Sequence, residues 1–558
     1  MDYSENNSFM DARLLDSLGV ALAILLAGAS ALPAATPALP LEQQAGQFLG
    51  TTLAGLTRPD ELDFWLRDRG IGLIVLYRDD FLPEGNRRVP EIVARHARPG
   101  LEPLLAVDQE GGIVVRHDAA ALPSAMALGA AGSEDLARRA GKFVGCALRA
   151  RGVDLNFAPV LDLSSPLDSG LGTRSFGRDP GAVSRLGAAF IEGAAAAGLL
   201  SIAKHFPGQG FADADPHFGP SKSSRSTAEM RSEDLLPFRR AIAAGAAGVM
   251  TAHVSYPAWQ EAGDAPASIS APLLGTVLRE DLGFEGLVIT DAIQMRGLGE
   301  SLDAGELAVR AIAAGADIVL APAPLERDGV YRAVLAAIRS GRLSPERVQR
   351  TLDRVRAARA LAARNRGSCP QMATVADEIA RAAVTRIGSA SLLDSAASFF
   401  IGSAGEIADR FPPERRHLLP IDPPRGREAI EARVAEITAC GPSRWVALIQ
   451  NRSQAELVAS LTKQIPGLAL TVIVAGSPYD AAGIEADEFL FTYGSRAGAM
   501  DAVIDVLEGR KAAPGRLPVD VDGIGGIGEG ETTTCPDIAV EAPEPVGEGV
   551  SSGARESP

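Results

Sequence analysis

The sequence predicts an α/β protein: a (β/α)8 barrel of parallel strands, followed by a smaller doubly wound α/β domain. Three observations predict it. At 558 residues the chain is several times the length of a typical ~150-residue domain, so one large and one smaller unit are expected. From about Gln47 to Pro322, short apolar or β-branched runs alternate with Ala-rich helical stretches, the rhythm of a parallel sheet with crossover helices. After a basic helical stretch the same rhythm restarts.

The first series of strands is read at Gln47–Thr52, Gly72–Tyr77, Leu104–Val107, Asp154–Ala158, Ser201–Lys204, Gly248–Ala252, Leu287–Thr290 and Asp317–Leu320. Eight such units close into a barrel. The segments LGAAFIEGAAAAG, FRRAIAAGAAG and AGELAVRAIAAGA lie between them and end at or beside a glycine, as packed helices do. Arg342–Arg364 is the basic helix. Beyond it Ser398–Gly402, Trp445–Gln450, Leu470–Ala475 and Glu488–Tyr493 read as four of the four or five strands of the second domain. The tail from about Asp522 is rich in Gly, Glu, Pro, Ser and Thr, a composition that predicts disorder. The expected division is therefore 1–40, 41–365 for the barrel, 366–521 for the second domain and 522–558 for the tail.

Composition narrows the function. Lys+Arg 54 against Asp+Glu 70 give a net charge of −16, which repels phosphate backbones and anionic membrane faces, so no nucleic-acid partner is expected. The four cysteines, Cys146, Cys369, Cys440 and Cys535, form no CxxC pair, which argues against a zinc module and against a disulfide-built scaffold. Their redox state is left open. Leu18–Ala29 is an apolar run too short to span a bilayer but long enough for a signal h-region. The stretch before it carries Asp2, Glu5, Asp11 and Asp16 beside a single Arg13, the wrong sign for a signal n-region. Export over segment 18–35, and a cytoplasmic protein with an N-terminal helix packed on the domain, both stand as readings. No stable membrane insertion is expected.

In a barrel of this kind the working side chains sit just beyond the C-terminal ends of the strands. Those places hold Asp108-Gln109-Glu110-Gly111-Gly112 with Arg116, then Asn156, Pro159 and Asp162, then Arg174-Ser175-Phe176-Gly177. Lys204-His205-Phe206-Pro207-Gly208-Gln209-Gly210 follows, with Asp213, Asp215, Pro216 and His217 in its loop, and later strands end in His253 and Asp291. Carboxylates, histidines, arginines and a lysine converge on one rim. His96, His117 and His417 have no motif around them, and no metal site or cofactor is expected. The glycines of PGQG lack the GK[ST] ending of a phosphate loop.

AVDQEGGIVVR, NFAPVLD, RSFG, AKHFPGQG followed by DPH, and VITDAIQM, in this order, resemble glycoside hydrolase family 3, in particular its β-N-acetylglucosaminidase (NagZ-type) branch. The resemblance runs from about Leu41 to Leu361, and IQNRSQAELVASL, VIVAGSPYD, FTYG and APGRLPVDV extend it to the C-terminal domain of two-domain members. It implies a retaining exo-β-N-acetylglucosaminidase acting on peptidoglycan- or chitin-derived fragments, without cofactor. Asp291 of ITDA is then the nucleophile, and Asp215-Pro216-His217 supplies a histidine acid/base with its aspartate partner. Imidazole titrates near neutral pH, and an adjacent carboxylate sets its tautomer and stabilises its cation. Asp108, Arg116, Arg174, Lys204 and His205 match positions that surround the sugar and its N-acetyl group. For Arg116 and Arg174 the alternative is a rim salt bridge, for Asp291 a helix cap, for His217 a surface loop, and for His253 either the site or the core. The branch usually has Ser where Pro216 stands and His where Gln209 stands, which bears on loop closure. Phosphorolysis by the same dyad, a β-glucosidase of the same family, and a non-catalytic glycan-binding barrel are the competing readings.

Overall fold

The computed structural model describes residues 39–531 except 82–88, 168–169, 260–264, 299–302, 365–368, 370–373, 389–392, 394, 396–397, 404, 406, 419–443, 466 and 497. The signal-like segment, most of the tail, Cys440 and Cys535 lie outside the described residues.

Eight parallel strands close a barrel in chain order: β1 Leu49–Thr51, β2 Leu73–Leu76, β3 Leu104–Val107, β4 Leu155–Asn156, β5 Leu200–Phe206, β6 Gly248–Thr251, β7 Leu287–Ala292 and β8 Ile318–Leu320. Pairing of Leu49 with Val319 and of Gly50 with Leu320 closes the ring. Every expected strand is present, with ends shifted by at most two residues. The strands were legible because both of their faces are buried, which makes each a continuous apolar run. Within them, alternate residues share the interior: Leu73 and Val75, Leu104 and Ala106, Leu287 and Ile289, Ile318 and Leu320. A Cβ on Gly50 would lie 2.5 Å from the Leu320 side chain, so the ring closes tightly only around a glycine at that point.

The helices begin where the sequence offers caps. Ser133 accepts from the Leu136 N–H to start the helix Glu134–Arg149, Asp179 caps Pro180–Ala196 with proline at its first position, and Asp303 caps Ala304–Ala314. The basic helix Pro345–Arg364 sends Val355, Ala358 and Ala362 into the barrel's interior cluster. Its Arg347 and Arg354, with Arg279, surround the fully buried Asp317 just before β8. Its arginines therefore seal the end of the barrel where the strands begin, leaving the other end for chemistry.

The second domain is a six-stranded sheet in the order β11-β10-β12-β13-β14-β9. Its strands are β9 Thr385–Gly388, β10 Ser398–Gly402, β11 Arg416–Leu418, β12 Arg444–Ile449, β13 Leu470–Val474 and β14 Glu488–Phe491; all neighbours are parallel except β9 on β14. The two strands not expected, β9 and β11, occupy the sheet edges and are short and partly charged. Arg386 of β9 sits in the sheet because it meets the buried Glu488 of β14 at 2.8 Å, a pairing invisible to local periodicity.

The barrel and the second domain touch through backbone. The N–H of Arg178 donates to the Pro518 carbonyl and that of Arg516 to the Ala130 carbonyl, both at 3.0 Å, so the APGRLPVDV segment packs beside RSFG. The tail expected to lack structure from Asp522 starts later than that. Leu517 exchanges backbone hydrogen bonds with Gly528 and Glu529, and Glu531 reaches Arg386, so residues 522–531 belong to the folded chain. A disulfide joins Cys146, on the helix Glu134–Arg149, to Cys369 beyond the basic helix; the spacing of the cysteines carried no sign of it. No helix among the described residues is long and apolar enough to cross a membrane.

Candidate active site

The strand ends converge as the rim rule requires. Asp108 follows β3, Lys204 and His205 stand near the C-terminal end of β5, and Asp291 is the penultimate residue of β7. Lys204, with a side chain only 2% exposed, places its ammonium 2.6 Å from Asp108 Oδ1 and 2.6 Å from Glu110 Oε1. Arg174 meets Glu110 through two parallel bonds of 2.8 Å from its Nε and a terminal nitrogen. Burial pushes the Glu110 carboxyl up, but Arg174 and Lys204 outweigh it and hold the group well below the usual carboxylate range. Burial likewise pulls Lys204 down, and Asp108 and Glu110 more than reverse it, so the lysine stays charged.

His205 is fixed from beneath. Its Nδ1 lies 2.6 Å from Asp162 Oδ2, and the fully buried Asp162 also accepts the His205 and Gln209 backbone N–H groups at 3.2 and 2.7 Å. A carboxylate only accepts, so the Nδ1 carries the hydrogen. The other ring nitrogen then faces Asp291 Oδ2 at 4.0 Å. The Asp291 side chain is 19% exposed, open enough to be reached. Burial raises its carboxyl, but His205, His253, the Ala292 N–H at 2.7 Å and Lys204 together lower it below its ordinary value. The outcome is an ionised carboxylate at an open strand end.

His253 is nine-tenths and more enclosed. Its Nδ1 pairs with Ser268 Oγ at 2.9 Å and its Nε2 with the Ala292 carbonyl at 3.2 Å, while burial lowers it below the usual histidine value. It supports the end of β7 from a buried position, which is the core one of its two readings.

Asp215 and His217 pair as their spacing predicts: His217 Nδ1 lies 2.7 Å from Asp215 Oδ1, which also accepts the His217 backbone N–H at 2.9 Å. The aspartate packs over Gly170, where a Cβ would lie 2.5 Å from its Oδ2. His217 is 49% exposed, at the mouth. No hydrogen bond joins this pair to Asp291 among the described residues. Instead the Pro216 carbonyl accepts the Gly297 N–H at 2.8 Å, tying the dyad loop to the loop that follows Asp291. The proline, a departure from the usual pattern, therefore keeps the one backbone bond its position needs, which is an acceptor.

Arg116 stands apart from the ion-pair network. Its guanidinium lies 5.8 Å from the Tyr77 ring centroid, and its Nε is buried with no hydrogen-bond partner among the described residues. Arg174 does make the rim salt bridge that was its alternative reading, whereas Arg116 makes none among the described residues. Three residues outside the expected set join the site: Glu110, Asp162 and Tyr77. All lie just after strands or in the motifs already singled out, so place was their signal; what was missing was the partner each would find. Among the described residues no group of three or more His, Cys, Asp or Glu side chains is arranged to hold a metal ion.

Comparison with known proteins places the fold in a family. Residues 42–358 match the glycosyl hydrolase family 3 N-terminal domain. A β-hexosaminidase of Nitrosospira multiformis is 40% identical over 225 residues, covering 39% of this chain and 64% of that one. A β-N-acetylglucosaminidase/β-glucosidase of Cellulomonas fimi is 36% identical over 278 residues, 48% of each chain. The chain thus spans less than two thirds of the length of either relative. The structure of a family 3 β-N-acetylglucosaminidase from Paenibacillus superposes with a TM-score of 0.77 at 29% identity, covering 87% of this chain and 99% of that one. The family model spans more than half of the chain, so the chain belongs to glycosyl hydrolase family 3.

Proposed function

We propose that the protein is a retaining exo-β-N-acetylglucosaminidase that removes terminal N-acetylglucosamine from peptidoglycan- or chitin-derived fragments. The observation that carries this reading is Asp291: an ionised, reachable carboxylate at the end of β7, with the Asp108–Lys204–Glu110–Arg174 cluster on the same rim. Asp291 Oδ2 attacks the anomeric carbon as the bond to the glycosidic oxygen breaks. His217, its Nδ1 engaged by Asp215, delivers the proton to that oxygen from Nε2. Water then attacks the glycosyl ester, giving its proton to His217 and releasing the sugar with retained configuration. Asp108, Lys204, Arg174, His205 and Arg116 bind the sugar, and charged hydrogen bonds give orientation as well as affinity.

The test is turnover of matched 4-nitrophenyl β-glycosides, with and without inorganic phosphate, followed by NMR of the first-formed anomer. Strong preference for the N-acetylglucosaminide and a β-product are expected. Equal efficiency on the glucoside, an α-product, or release of the sugar 1-phosphate would overturn the assignment.

A further inference from the structure

The FTYG segment of the second domain reaches the barrel at one turn. Beyond β14 the chain passes through Tyr493, which is fully buried and holds a left-handed backbone (φ 57°), costly for a non-glycine residue. That conformation is over-determined: the Tyr493 hydroxyl bonds Thr385 Oγ1 of β9 at 2.8 Å, and its carbonyl accepts from Ser124 Oγ of the barrel at 2.7 Å. Three residues on, Arg496 donates from Nε to the Gly112 carbonyl at 2.6 Å. The second domain thus grips both ends of the segment that follows β3.

The gripped turn is the one that carries Glu110. Glu110 and Gly111 donate their N–H groups to the Val114 carbonyl at 3.0 and 3.1 Å, and Gly112 donates to Leu122 at 2.9 Å. Gly111 and Gly112 have φ of 99° and 55°, so the turn is built from residues with large conformational freedom to lose. On its inner side the Glu110 carboxylate takes Lys204 and Arg174 together. On its outer side the turn is anchored by the Arg496 side chain.

We infer that Arg496 is a positioning residue for the sugar-binding cluster: by holding Gly112 it fixes the turn 110–114 and so sets where Glu110 orients Lys204 and Arg174. The second domain thereby acts on the barrel's site without touching substrate. What the cluster binds rests on the function proposed above; the restraint on the turn does not.

The full-length protein and its Arg496→Ala and Arg496→Lys variants test this by two independent readouts. In Arg496→Ala, amide hydrogen exchange at Glu110, Gly111, Gly112 and Val114 is expected to speed up about tenfold, with the rest of the barrel unchanged. With 4-nitrophenyl N-acetyl-β-D-glucosaminide, KM should rise about tenfold while kcat stays within about threefold, because Asp291 and the His217 loop are anchored elsewhere. Arg496→Lys keeps a charged donor and should recover most of both effects. Unchanged exchange in the alanine variant, or a fall in kcat at constant KM, would overturn the inference. A wild-type protein inert toward this glycoside would sink the proposed function, yet the exchange comparison would still decide the role of Arg496. Should the alanine variant fail to fold, Arg496→Gln carries the same expectations.

Discussion

Glu110 and Arg174 are joined by two parallel 2.8 Å hydrogen bonds, 64 residues apart in sequence, with only 4% and 12% of their side chains exposed. The arginine is thus committed to a carboxylate before any sugar arrives, and both of its bonds are donated on one edge of the guanidinium. Removing one member of such a buried pair leaves the other charge enclosed, which typically costs ~3–5 kcal/mol. Lys204 remains beside Glu110, so Arg174→Ala is expected near the lower end of that range, about 3 kcal/mol by urea unfolding. It should also lower kcat/KM for the N-acetylglucosaminide and flatten its preference over the glucoside. An unchanged unfolding midpoint would show that the pair contributes nothing.

Asp291→Ala is expected to cut turnover of 4-nitrophenyl N-acetyl-β-D-glucosaminide on the order of a thousandfold or more, because no covalent intermediate can form. The melting temperature should stay close to wild type, since among the described residues the carboxylate bonds at short range only the adjacent Ala292 N–H. Activity within a few-fold of wild type would end its assignment as nucleophile.

His217→Ala should damage hydrolysis of poor leaving groups far more than that of activated phenols, which depart with less protonation. Asp215→Ala should act in the same direction but more mildly, since it removes only the partner on Nδ1. Equal losses across a series of leaving groups would exclude His217 as the proton donor.

The pH dependence of stability carries a sign fixed by Glu110. Its folded value lies well below the ordinary 4.5, so between the two values the unfolded chain binds the extra proton. Its contribution is complete above about pH 4.5 and is lost as the pH falls below it. Melting temperatures from pH 7 down to pH 3 should therefore drop more steeply for wild type than for Glu110→Gln, which should start lower and vary less. Parallel curves would refute it.

Asp162→Asn tests the support under His205. The amide keeps an acceptor but loses the charge that fixes the Nδ1 hydrogen, and a lost buried hydrogen bond to a charged group is worth ~1.5–3 kcal/mol. That corresponds to roughly a tenfold to hundredfold fall in kcat/KM, with Arg116 and the dyad untouched. Wild-type kinetics in this variant would mean that the orientation of His205 does not matter.

The sequence by itself determined the barrel and the rim. Parallel strands buried on both faces read as unbroken apolar runs, and the rule that function sits beyond the strand ends picked out Asp108, Lys204, His205 and Asp291 from local pattern alone. The Asp215–His217 pair came from the family resemblance, and the two residues meet locally because a turn closed by the Phe218 N–H on the Asp215 carbonyl at 3.1 Å folds His217 back onto Asp215. Tertiary structure decided everything that depends on a second chain segment. Glu110 is the hub of the cation cluster only because β5 and the RSFG turn bring Lys204 and Arg174 to it. Asp162 governs His205 across 43 residues, Arg386 becomes a strand residue by meeting Glu488, and Arg496 reaches Gly112 across 384. Periodicity reports the environment of a residue along its own element; it carries no record of which charged group the fold will set opposite.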